Sequence, residues 1–77
     1  MSASVQYRVA FGRKDEAVDG PDDAALVITI DARDATGDLT ELFMLGRLKA
    51  AGHTGVLFDV LRSGEASAVL ARLSARA

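Results

Sequence analysis

The chain has no cysteine and no tryptophan, a single histidine and a single proline among 77 residues. Without thiols there is no disulfide framework, no thiolate nucleophile and no thiolate metal site. One imidazole, His53, set among scattered acids has no ligand spacing, so neither a metal nor a cofactor is expected. Glycine is too sparsely placed for phosphate chemistry, because Gly46, Gly52 and Gly55 fit neither a dinucleotide nor a P-loop spacing. No apolar run is long enough to span a bilayer. Met1-Ser2-Ala3-Ser4 has neither a basic nor an apolar leader character, so the expected location is the cytoplasm. A pI near 5.1 and the lack of a basic, aromatic-laced face argue against nucleic acid.

What is present points to a folded core. Apolar residues make up 49% of the chain, mostly Ala, Leu and Val, with Tyr7, Phe11, Phe43 and Phe58 as its aromatics. This length makes one domain, residues 1–77, which buries about 60% of its unfolded surface. The net charge of −2 is unevenly placed. Through Glu41 nine acids face four bases, −5; beyond it two acids face five bases, +3. Such asymmetry suits two-fold or head-to-tail association, although a solvated surface produces the same counts more often.

In chain order, Val5, Tyr7, Val9 and Phe11 alternate with Gln6, Arg8, Ala10 and Gly12, which predicts a half-buried strand with its odd-numbered side inward. Glu16-Ala17-Val18-Asp19 reads as a short return strand, and Gly20-Pro21-Asp22-Asp23 as the clearest turn. Leu26-Val27-Ile28-Thr29-Ile30 is apolar on nearly both sides, as a central strand is. Residues 31–37 form a loop or one irregular turn. Asp38, with Glu41 three positions on, has the form of a capping box opening a short helix over 39–45. Gly46 closes that helix in a left-handed conformation, and a strand over 47–51 leaves at once, ended by Gly52. Thr54 is the expected N-cap of the next helix, where Val56, Leu57, Val60 and Leu61 recur at helical spacing with Phe58 on a flank. After Ser63-Gly64, the stripe Ala66, Val69, Leu70 and Leu73 marks a last helix, with Arg72 and Arg76 near its C-terminus. The class is α+β: a small, mostly antiparallel sheet of three or four strands with helices on one face.

The run Phe43-Met44-Leu45-Gly46-Arg47-Leu48-Lys49, followed by Gly52, resembles the signature region of the sterol carrier protein type 2 family, with His53 where that family usually has Asp. The likeness spans residues 5–73 and is strongest over 39–61. It implies an apolar tunnel for sterols, fatty acyl chains or polyketide- and terpenoid-like molecules. On that resemblance Phe43, Met44, Leu48, Leu57, Phe58, Leu61 and Tyr7 are the ligand-binding residues. In a generic domain the same side chains are core, and the Tyr7 hydroxyl lies at the core's edge. The family's domain also has a helix and a strand ahead of the part matching Val5, and a further helix where residues 31–37 stand. This chain is therefore expected to be a shortened form.

An empty tunnel of about 300 Å³ costs roughly 7 kcal/mol at about 24 cal/mol per Å³. A small domain's whole stability is about 5–15 kcal/mol. A second subunit is therefore expected to supply the missing walls, in a homodimer that pairs uncovered sheet faces around Val27. The leading function is non-catalytic binding of a hydrophobic small molecule. One alternative is a pocketless module docking an enzyme of lipid metabolism. The other is a small cyclase-like tailoring enzyme assisted by Tyr7 or His53, for which no catalytic constellation exists. Asp59 is expected on the outer helix face, turned toward Arg62.

Overall fold

A computed structural model of the chain describes residues 4–75; residues 1–3, 76 and 77, and with them the expected position of Arg76, lie outside that range. Strands β1 (Val5–Ala10), β2 (Glu16–Asp19), β3 (Leu26–Asp31) and β4 (Leu48–Gly52) form one sheet in the order β2-β1-β3-β4. Helices α1 (Leu39–Met44), α2 (Thr54–Ser63) and α3 (Glu65–Ser74) cover one of its faces. A 3-10 turn at Ala32–Asp34 takes up the irregular segment after β3, with Asp31 Oδ1 accepting from the Arg33 amide at 3.1 Å. The α+β class is as expected.

Two of the three strand pairings are antiparallel, β1 with β2 and β3 with β4, but the central pairing of β1 with β3 is parallel. The sheet is therefore mixed. A parallel neighbour needs a crossover connection, usually a helix. Here the return strand β2 plays that part: it pairs on the outer side of β1, and the following turn brings the chain back beside the start of β1.

The register explains the burial. On the covered face the rows run Asp19, Tyr7, Ile28, Ala50 and then Ala17, Val9, Ile30, Leu48. Val9, Leu26, Ile28 and Ile30 are fully buried there beneath Leu57, Val60, Ala66 and Leu70. The odd-numbered side of β1 thus faces inward, as its alternation predicts. The opposite face carries the rows Val18, Arg8, Thr29, Lys49 and Gln6, Val27, Ala51. Arg8 and Glu16 form an ion pair on it, and Val27 and Thr29 are only half-buried. Gln6 is buried on this side although polar, because the turn after β2 folds over it. Its amide donates to the Pro21 carbonyl at 3.1 Å and to Asp22 Oδ1 at 3.3 Å.

Two glycines hold the sheet-to-helix joints. Gly46 has φ +77°, and the Arg47 amide bonds the Leu42 carbonyl at 2.9 Å while the Gly46 amide bonds Phe43 at 3.1 Å. That pair of bonds is a Schellman closure, which needs the left-handed residue. Gly52 has φ +126°, and a Cβ there would lie 2.1 Å from the Ala25 carbonyl oxygen, so no other residue fits where β4 meets the start of β3.

The opposite charges of the two halves are partly used inside the chain. Arg72 on α3 reaches Asp19 on β2 at 2.9 Å, and Arg47 before β4 reaches Asp34 in the 3-10 turn at 3.2 Å.

Candidate functional site: an apolar groove between α1 and α2

Each of the first two helices turns a triplet of side chains outward at the spacing i, i+3, i+4. On α1 these are Thr40, Phe43 and Met44; on α2 they are Phe58, Leu61 and Arg62. Residues at this spacing stand one above another on a helix surface, so each triplet makes a short ridge. Between the ridges lies a groove of about 380 Å³. Phe43 and Leu61 are half-buried and packed on the core, and they form its floor. Met44 at 80% exposure and Phe58 at 55% are its walls.

Local chemistry fixes both ridges. Asp38 Oδ1 accepts from the Thr40 and Glu41 amides at 3.1 and 3.2 Å and starts α1 as its expected N-cap, without the reciprocal Glu41 side-chain bond of a full capping box. Leu39 is buried and ties α1 to the core. The N-cap of α2 is His53 and not Thr54, which is the first helical residue. His53 Nδ1 accepts from the Val56 amide at 3.3 Å, satisfying one of the orphan donors of the first turn. An imidazole nitrogen is an acceptor within reach of that amide, so it does the work that a hydroxyl or carboxylate usually does. His53 is thereby a structural residue with its ring exposed, outside the groove lining.

The seven residues expected to bind ligand fall into two groups. Phe43, Met44, Phe58 and Leu61 come together at the groove. Tyr7, Leu48 and Leu57 do not; each is buried in the packed layer between sheet and helices. The Tyr7 hydroxyl donates to Glu65 Oε2 at 2.9 Å at the start of α3. Burial first, and then the Glu65 hydrogen bond and the charges of Glu65 and Asp19, hold this phenol well above its ordinary pKa. It is a neutral donor, committed to a structural contact. Among the described residues no group of three or more acids and histidines is placed to hold a metal ion, and no helix is long and apolar enough to cross a membrane.

Thr40 and Arg62 are the lining residues that the resemblance does not point to. Their signal was present in the helical spacing, since each completes an apolar pair on its own ridge. Arg62 Nη2 also pairs with Asp59 Oδ1 at 3.0 Å on the outer surface of α2, as expected. Compared with protein-family models, curated proteins and solved structures, the chain matches none of them.

Proposed function

We propose that this chain is a non-catalytic, sterol-carrier-like binding module and that its α1–α2 groove takes a hydrophobic small molecule. The observation that carries this is the groove itself: four apolar side chains, two of them largely exposed, around about 380 Å³. Ligand sites are commonly about 300–1,000 Å³ and mostly apolar. The ligand rests on the helix layer from outside, because the space between helices and sheet is filled by Tyr7, Leu48, Leu57 and their neighbours. Covering Phe58 and Met44 removes apolar area from water at about 25 cal/mol per Å², which is the driving force for binding.

Amide chemical shifts recorded with sterols and medium-chain acyl compounds test this. Saturating ligand is expected to move residues 39–44 and 54–63 and to add about 2.7 kcal/mol of stability at a hundredfold excess over Kd. Shifts confined to the sheet, or none across the panel, exclude the groove as a ligand site.

A homodimer is a second element of the proposal, favoured by Val18 at 44% exposure and half-buried Val27 on the uncovered sheet face. Sedimentation is expected to give twice the 8.1 kDa chain mass at micromolar concentration, and Val27→Asp to halve it. A well-folded monomer rules this out.

A further inference from the structure

We propose that His53 makes the start of α2 an acid-sensitive joint: the neutral imidazole closes the helix, and the imidazolium opens it. The proposal stands apart from the ligand site, since His53 lies outside the groove lining.

The geometry of the cap carries it. His53 is the N-cap residue of α2, and its Nδ1 accepts from the Val56 amide at 3.3 Å. An accepting ring nitrogen bears no hydrogen, so the ring is the tautomer protonated on Nε2. A further proton can bind only at the lone pair that the Val56 N–H already uses. The imidazolium has two donors and no acceptor, so the cap bond is lost with it. Its positive charge would also stand among the unpaired N–H groups of a ten-residue helix, where an anion is favoured. The ring is seated in place. A Cβ at Gly55 would lie 3.1 Å from its Cε1 and 3.3 Å from its Nδ1, so glycine, otherwise a poor helix former, leaves room for the imidazole in the first turn.

No carboxylate is paired with the ring to hold the charged form. Of the elements joined at His53, β4 carries Lys49, and α2 carries Asp59 and Arg62, which pair with each other. The segment ahead of β3, whose Ala25 carbonyl accepts from the His53 amide at 3.0 Å, carries Asp22 and Asp23. Asp22 accepts from Gln6. An imidazole ordinarily changes charge between about pH 5 and 8, and His53 is the chain's single histidine. The unfolded chain takes up that proton without losing a cap. The contribution of His53 to stability is therefore complete above this range and lost as pH falls through it.

Denaturant midpoints of the full chain between about pH 8 and about pH 5.5 test the joint. The native folding constant is expected to fall about tenfold across this window, the combined size of a lost cap and an adverse terminal charge. His53→Asn, which caps with an amide that does not titrate, should be level there. So should His53→Asp, whose carboxylate stays ionised down to about pH 5. Nitrogen NMR of the native imidazole should show the hydrogen on Nε2 at about pH 8, and the Val56 amide shift should titrate together with the ring. A level native profile, an equal acid limb in His53→Asn and His53→Asp, or a ring hydrogen on Nδ1 overturns the proposal.

Discussion

Helix α3 and the α1–α2 pair use their apolar residues in opposite ways. On α3 every large apolar side chain belongs to the inward stripe: Leu70 is fully buried with Ala66, while Val69 and Leu73 pack on the core from its edges. Both ends are also tied to the sheet, by Tyr7 to Glu65 and by Asp19 to Arg72, each at 2.9 Å. Nothing apolar is left over. On α1 and α2, Leu39, Leu57 and Val60 already fill the inward positions. Phe43 and Leu61 pack on the core from its edges as Val69 and Leu73 do, and Met44 and Phe58 are a surplus beyond what the core takes in. Two exposed large apolar residues on opposite sides of a groove add little to the core's stability, which is why the proposed ligand is placed there. Surplus apolar surface, not apolar content, sets the α1–α2 side apart and is the ground on which the binding site is proposed there.

Truncation gives the largest contrast between the two regions. Leu70→Ala on α3 is expected to cost about 2–5 kcal/mol, a large fraction of a small domain's stability, and Phe58→Ser on α2 no more than about 0.5 kcal/mol. Denaturant midpoints measure both. A Phe58→Ser loss as large as that of Leu70→Ala would mean that the groove wall is core and the surplus illusory.

The tie between α3 and the sheet should show a smaller, pH-dependent effect. Because the folded-state pKa of Tyr7 is raised, the stability it contributes is complete below the ordinary tyrosine value near 10 and is lost as pH climbs above it. Tyr7→Phe is expected to cost about 1 kcal/mol at neutral pH and to flatten the alkaline decline. An alkaline limb identical in the variant would show that the Glu65 contact does not hold the phenol.

At the start of α2 the expected effect is of similar or smaller size. Removing the imidazole acceptor with His53→Ala should lower stability by about 0.5–1 kcal/mol, a few degrees in Tm, while His53→Asp restores or exceeds the native value. A neutral His53→Ala would show that the Val56 amide does not depend on this cap.

Local order was legible in the residues because its causes are local. Alternation in Val5–Ala10, the Asp38 cap, the left-handed Gly46 and the α3 stripe each depend on side chains a few positions apart, and each element formed close to its expected bounds. Four of the six residues lining the groove, Phe43, Met44, Phe58 and Leu61, were expected to bind ligand, but on the family resemblance and not on their spacing, which by itself reads them as core. Tertiary structure alone decided the rest. The parallel match of β1 to β3 arises because β3 pairs with β1 and not with the return strand β2, a choice that strand periodicity does not encode. Gln6 is buried because a distant turn reaches it. Leu48 and Leu57 are filled core while Phe58 stands in solvent, although all three are large and apolar. Periodicity states which way a side chain points from its own element; whether another element covers it is settled only when the layers come together.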